Sequence, residues 1–319
     1  MWFREHRELL SYSLNKLYKS IGISKQSVLK YEERRRREDE TLEQMIAIVN
    51  QVRIDHPGMG LRTIYEKMRP SGIGRDKFEK QSLECGLGVA RRKNWRCTTD
   101  SRGVKRFDNK LKDFKPTKPD QAWVSDITYY ELNNRFYFLT FIEDLYTRYV
   151  KGHSVSSTLR TEDTIIPALE QAIRGRKIKP GHIFHSDGGG QYYSKEFLKV
   201  TSLKKFRNSM GKYVYENPHA ERLNGTIKNE YQKYRKIWTQ KDLEREVARS
   251  VKMYNEGRPH KSLYKLTPLQ AENGELKKAE QRSRRNKKNA GRRGSLPLLT
   301  PAKQKRKAAL KAKQQLTNP

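Results

Sequence analysis

Three carboxylates, Asp126, Asp187 and Glu221, stand out because of where they sit. Asp126 interrupts the aromatic and β-branched run Trp123-Val124-Ser125-Asp126-Ile127-Thr128-Tyr129-Tyr130. An ionised side chain turned into a core from such a strand would be costly, so Asp126 is expected to face a cleft or a metal ion. Asp187 follows the run His182-Ile183-Phe184-His185-Ser186 and leads into Gly188-Gly189-Gly190, which have no side chains to hold off an approaching substrate backbone. Glu221 comes after Asn217-Pro218, an N-cap type followed by a first-turn proline. On that helix Ala220, Leu223, Ile227, Tyr231 and Tyr234 form an apolar stripe. Glu221, Gly225 and Lys228 share the neighbouring face, giving a carboxylate, a clearance and a cation.

Three acids converging on hard cations suit phosphodiester chemistry with Mg²⁺, two ions ~3.5–4 Å apart serving the attacking and the leaving oxygen. No Ser-His-Asp spacing, Gly-x-x-x-x-Gly-Lys loop or His-x-x-x-His pair lies near them. Singly, Glu221 reads as a surface helix residue and Asp187 as a turn former; only the set of three points to catalysis. His185 reads as a structural neighbour, because Mg²⁺ prefers oxygen.

The elements that must position these acids are strands first, then strand and helix in alternation. Residues 122–130, 136–142 and 149–156 read as an antiparallel meander with a hairpin turn at Asn133-Asn134-Arg135. Thr161 reads as the N-cap of a helix carrying Ile165, Ile166, Leu169, Ala172 and Ile173, with Pro167 as an irregularity inside it. A strand over 182–185 and helices over 217–255 complete an α/β core expected over 117–272, including a helix after the acids.

Before the core, residues 1–40 read as helices around Gly22-Ile23-Ser24, a weak helix-turn-helix pattern with Leu9, Leu10, Leu14 and Leu17 at helical spacing. Residues 41–90 repeat the form, with breaks at His56-Pro57-Gly58 and Pro70-Ser71-Gly72-Ile73-Gly74. Residues 91–116 are basic and proline-punctuated, as linkers are. The tail, 273–319, is basic with little apolar periodicity and is expected to be disordered.

The 319 residues carry 69 Lys and Arg against 36 Asp and Glu, a net charge of +33 that calls for a polyanionic partner. With 34% apolar residues but 17 Tyr, 10 Phe and 4 Trp, the chain still has the means to build cores. Two cysteines exclude a disulfide scaffold, and no apolar run approaches a membrane span.

Three blocks resemble the catalytic blocks of bacterial insertion-sequence transposases with a retroviral-integrase-like core. They are Trp123-Val124-Ser125-Asp126-Ile127-Thr128-Tyr129, His185-Ser186-Asp187-Gly188-Gly189-Gly190-Gln191-Tyr192 and Glu216-Asn217-Pro218-His219-Ala220-Glu221-Arg222-Leu223-Asn224-Gly225. Tyr254-Asn255-Glu256-Gly257-Arg258-Pro259-His260 and Leu266-Thr267-Pro268 match that family's segment after the core.

The resemblance implies a ribonuclease-H-like core and an Asp126–Asp187–Glu221 catalytic triad that binds metal. It further implies Mg²⁺ with Mn²⁺ as a substitute, two ions being held once DNA is bound. The activity implied is cleavage and strand transfer at the ends of a mobile element; the alternative is a decayed copy or a regulator that only binds those ends. Lys228, Arg222, Asn224, Gln191, Arg258 and His260 are implied to meet DNA. Arg258 and His260 admit two roles, closing a helix and packing on the core or touching the DNA backbone, and the second is the expectation here. The implied partners are duplex DNA at element ends and target, further copies of the chain, and an upstream-frame protein, all in the bacterial cytoplasm at the nucleoid. One departure stands out: the 33 residues between Asp187 and Glu221 are slightly fewer than the family commonly has, and the shortfall falls in Val200–Phe206.

Overall fold

The computed structural model describes residues 6, 8, 13–89, 107–211 and 216–294, without the side chains of 287–294. Leu9, Leu10, most of the basic linker and the tail beyond 294 lie outside the described residues.

Five strands form one sheet: β1 (Ala122–Leu132), β2 (Arg135–Asp144), β3 (Val150–Ser156), β4 (Ile183–Ser186) and β5 (Arg207–Met210). Their order is β3-β2-β1-β4-β5. The first three are antiparallel, whereas β4 runs parallel to β1 and β5 parallel to β4. Asn133 (φ 50°) and Asn134 (φ 59°) make the β1–β2 hairpin, both in the left-handed region that a tight turn of this hand requires.

Strand alternation sends alternate side chains to two helical layers. Trp123, Ile142 and Phe184 pack against Ile165, Ala168, Leu169 and Ala172 of α5 (Ile165–Ile173) and Phe197 of α6 (Lys195–Leu203). On the other face, Leu139, Phe141 and Val150 meet Leu223 of α7 (Pro218–Thr226) and Leu243, Val247 and Val251 of α8 (Gln240–Gly257). This is the ribonuclease-H-like arrangement: a mixed sheet with an antiparallel meander, parallel outer strands and helices on both faces. The helix expected from Thr161 begins only at Ile165, which puts Pro167 in its first turn, where a missing N–H leaves no helical bond unmade.

Ahead of the core come α1 (Leu14–Ser20), α2 (Lys25–Asp55), α3 (Leu61–Met68) and α4 (Arg75–Glu84). Met45, Val49, Val52, Ile64 and Phe78 give α2, α3 and α4 a core of their own. The break expected between residues 40 and 41 is absent, because α2 runs through it. Its charged stretch consists of good helix formers tied by i,i+4 pairs, Glu33 with Arg37 and Arg36 with Glu40.

The helical module rests on the core. The Gly58 N–H donates to the Glu230 carbonyl at 2.7 Å, Lys67 Nζ to the Gly257 carbonyl at 2.7 Å and Arg235 Nη2 to the Ile54 carbonyl at 2.9 Å.

Two boundaries differ from the sequence reading. Residues 107–116, assigned to the linker, lie against the core, with Leu111 and Phe114 packing on the cluster of Ala122, Val124, Leu145, Ile183 and Ala220. The expected disorder does not begin at 273 either. After α9 (Pro268–Glu272), α10 (Leu276–Gly294) starts with Leu276 buried beside Leu263 and Ala271 and continues with the i,i+4 pair Glu280–Arg284.

Candidate active site

Strand register brings the two aspartates together. Val124 of β1 pairs with His185 of β4, and Asp126 and Asp187 each lie two residues further along these parallel neighbours. Asp126, in the middle of β1, and Asp187, just past the carboxyl end of β4, therefore lie side by side on the same face. Asp187 Oδ1 accepts from the Gly189 N–H at 3.1 Å, a turn that leads into a single 3₁₀ turn, Gly190–Tyr193.

The third acid arrives on α7. Asn217 stands at its N-cap position, but its side chain does not cap the helix; Nδ2 donates to the Ser125 carbonyl at 2.9 Å and so pins the start of α7 to β1 beside Asp126. Ala220 and Leu223 are buried beneath it, which leaves Glu221 exposed in the first turn. Asn224 is buried, and its Nδ2 donates to Asp126 Oδ2 at 2.8 Å.

The electrostatics record the convergence. Burial, then the charges of Asp187 and Glu221, push the Asp126 carboxyl up to about 7. Burial also raises Asp187 and Glu221 above the usual carboxylate range. Burial lowers Lys228, with Asp126 pulling the other way. Among the described residues no three His, Cys, Asp or Glu side chains are drawn tightly enough around one point to hold a metal ion. The donor set nevertheless fits a hard divalent cation. It is all carboxylate oxygen, and mutual repulsion across a partly buried cleft is the cost that such a cation removes.

The other expected site residues divide. Lys228 is at the cleft but held to β1, its Nζ donating to the Tyr129 carbonyl at 2.8 Å and to Thr128 Oγ1 at 3.3 Å, and lying 4.8 Å from the Tyr129 ring centre. A π turn, Ile227–Tyr231, turns it there; the altered phase also keeps Tyr231 buried while Tyr234, expected on the apolar stripe, emerges 41% exposed. Arg222 is exposed beside Glu221, and Gln191 Nε2 donates to the Leu159 carbonyl at 2.9 Å.

Arg258 and His260 correct the sequence reading. Arg258 forks onto Glu230 with Nε to Oε2 at 2.8 Å and Nη2 to Oε1 at 2.7 Å, so its guanidinium is committed inside the protein. His260 packs edge-on to the Tyr254 ring at 4.9 Å, and burial with the cations of Arg258, Arg148 and Arg222 lowers it to about 3. Both side chains are turned into the protein in this structure, Arg258 onto Glu230 and His260 onto Tyr254.

Sequence reasoning overlooked Glu143. It is buried at the end of β2, accepts from the Tyr254 hydroxyl at 3.1 Å, and is pushed up to about 7 by burial. The only signal was an acid directly after the apolar run Phe138-Leu139-Thr140-Phe141-Ile142.

Comparison with known proteins agrees with this geometry. The integrase core domain family matches residues 116–213 and again 205–268. The transposase for insertion sequence element IS629 of Shigella sonnei is 32% identical over 225 residues, covering 68% of this chain and 75% of that protein. The uncharacterized 31 kDa protein of insertion element IS600, also from Shigella sonnei, is 28% identical over 220 residues, 66% of this chain and 79% of that protein. The HTLV-2 integrase catalytic core domain in complex with magnesium is 21% identical, covers 49% of this chain and 98% of that one, and superimposes with a TM-score of 0.41. On the integrase core domain match and the likeness to the IS629 transposase, the chain belongs to the insertion-sequence transposases with an integrase core, DDE-type polynucleotidyl transferases.

Proposed function

We propose that this protein cuts duplex DNA at the ends of a mobile element and joins the freed ends to a target, with Asp126, Asp187 and Glu221 as its catalytic carboxylates. The observation that carries the reading is geometric: Asp126 and Asp187 lie two residues past the paired Val124 and His185 on neighbouring parallel strands, and Asn217 and Asn224 fasten the Glu221-bearing helix to β1 beside Asp126. Two Mg²⁺ ions, or Mn²⁺ in their place, would supply activation of the attacking oxygen and charge relief at the leaving one.

The chain's own residues do the rest. Asn224 holds the Asp126 carboxylate in one orientation through its 2.8 Å bond. Gly188, Gly189 and Gly190 give the DNA backbone a close approach next to Asp187. Lys228 keeps a positive charge at the cleft wall, and Arg222, exposed beside Glu221, is placed to meet a phosphate as DNA enters. Cleavage breaks the P–O3′ bond as water adds to phosphorus and leaves a 3′-hydroxyl. In joining, that hydroxyl attacks a target phosphodiester and expels a new 3′-hydroxyl, with no external energy source.

The protein acts on element ends and target as a homo-oligomer, with an upstream-frame product as a second protein partner, in the cytoplasm at the nucleoid. The α2–α4 module is the candidate reader of duplex DNA. A labelled element-end duplex tests the reading: magnesium-dependent nicking is expected from the wild-type chain and none from Asp126→Asn, Asp187→Asn or Glu221→Gln, all three still binding the duplex. Nicking by any of these variants overturns the assignment of that residue. Duplex binding without nicking by the wild-type chain would make it a regulator of element ends.

A further inference from the structure

A groove of about 930 Å³ opens beside the first turn of α7, walled by residues 111–118, the β2–β3 turn and α10. Its lining includes Pro218 and His219 of α7, the helix that also carries Glu221; none of the three acids lines it.

Three features of the walls point to one class of ligand. The first is charge: Lys115, Lys118, Arg148, Lys277 and Arg284 face two acids, Glu216 and Glu280, and Arg284 is already paired with Glu280 at its own end of the groove. The second is aromatic surface, from half-buried Phe114 and Tyr146 and from Tyr264, which is 41% exposed. The third is backbone strain. Tyr264 (φ 55°) and Lys265 (φ 73°) are consecutive left-handed residues, neither of them glycine. They are locked there by Lys265 N–H to the His260 carbonyl at 2.8 Å and by His260 N–H to the Leu266 carbonyl at 3.0 Å. Left-handed backbone at a non-glycine residue is unfavourable and persists where surrounding bonds over-determine it, here at the end of the 3₁₀ turn Lys261–Leu263, which fixes the place of the Tyr264 ring.

Cations alternating with stacking rings fit an unpaired polynucleotide strand: every base offers a π-face and every linkage a phosphate. The volume lies within the ~300–1,000 Å³ typical of single-ligand pockets, which suits a few nucleotides of one strand. We propose that this groove binds a single DNA strand, with a base on Tyr264 and phosphates on Lys115, Lys118 and Lys277. The proposal rests on the DNA-cutting function above in one respect, that the strand is the one being cut or joined.

Fluorescence anisotropy of a labelled short oligothymidine on the full chain, without divalent metal, tests it. Tyr264→Asn removes the ring while keeping a residue that tolerates the left-handed backbone, and Lys115→Glu with Lys277→Glu reverses the wall charge. Each is expected to weaken oligothymidine binding about tenfold while changing affinity for an element-end duplex less than twofold. Tyr264→Trp, which keeps a stacking surface, is expected to bind at least as well as the wild type. Unchanged oligothymidine affinity in Tyr264→Asn, or an equal loss for strand and duplex, overturns the proposal. Nicking of the element-end duplex with magnesium is measured in parallel on the wild-type chain. A chain that binds the strand through the groove yet never nicks keeps this proposal and loses the catalytic one. A chain that nicks but binds oligothymidine independently of the groove does the reverse.

Discussion

His56 Nδ1 lies 3.0 Å from the Tyr231 hydroxyl, a hydrogen bond between residues 175 positions apart that fastens the helical module to the π turn just beyond the Glu221-bearing helix. Next to it the Gly58 N–H donates to the Glu230 carbonyl, and a Cβ added at Gly58 would come within 2.8 Å of the Glu230 backbone and within 2.6 Å of the Tyr234 ring. The backbone cannot give way there without losing the bond. Gly58→Ala is therefore expected to lower stability by about 1–3 kcal/mol and to expose the module–core seam to limited proteolysis. An unchanged melting temperature with unchanged proteolysis would show that the seam contributes nothing.

Acid should loosen the fold through its histidines. Burial lowers His56, His182, His185 and His219 to about 4 and His260 to about 3. Below their ordinary value of 6.5 these rings take up protons in the unfolded chain but not in the folded one. The stability they contribute is thus complete above pH 6.5 and is lost as pH falls through about 4. Each of the four rings lowered to about 4 is worth at most about 3 kcal/mol and His260 at most about 5 kcal/mol. Urea titrations at stepped pH should show a midpoint falling from pH 6.5 toward pH 4, and a flat profile would contradict the neutral buried rings.

Asp126 works in the opposite direction. Its folded-state value of about 7 exceeds its ordinary 3.8, so the folded chain holds the extra proton between these values. The favourable contribution is present below pH 3.8 and is lost as pH rises through about 7. Asp126→Asn, whose amide oxygen can still accept from Asn224, should stabilise the metal-free protein at pH 8 by at most about 4 kcal/mol and by nothing near pH 3. Magnesium should raise the melting temperature of the wild-type chain and leave that of the variant unmoved. Destabilisation by Asp126→Asn at pH 8 would remove the account of three repelling carboxylates.

The acids stood out in sequence as a set: a charge in the strand Trp123–Tyr130, a triple glycine after Asp187, a carboxylate after the helix start Asn217-Pro218. The strands were legible from alternation, and Asn133-Asn134 from its turn chemistry. What escaped depends on contacts distant in the chain. Nothing near Arg258 announces that Glu230 will receive it 28 residues away, and nothing near Asn217 says that its amide will reach the Ser125 carbonyl rather than cap its own helix. The almost wholly charged run Glu32–Glu40 reads as a solvated helix or a linker because it lacks an apolar face; its i,i+4 pairs and the anchored end at Met45, Val49 and Val52 make it part of one helix.

Arg258 gives the sharpest separation between a structural and a DNA-contacting role. Its guanidinium makes two bonds to Glu230, with side chains only 16% and 25% exposed, and Glu230 in turn lends its carbonyl to Gly58 of the helical module. Arg258→Ala leaves a half-buried carboxylate without its partner, which should cost about 2–4 kcal/mol and loosen the module as well. Adding Glu230→Gln to that variant removes the stranded charge and should recover part of the loss, a rescue that a phosphate-contacting arginine would not show. The expected readout is a lower melting temperature for Arg258→Ala, a partial return in the double variant, and element-end affinity within twofold of wild type whenever the protein is folded. A fall in affinity at an unchanged melting temperature would mean that Arg258 leaves Glu230 for DNA, and would restore the role its place in the sequence first implied.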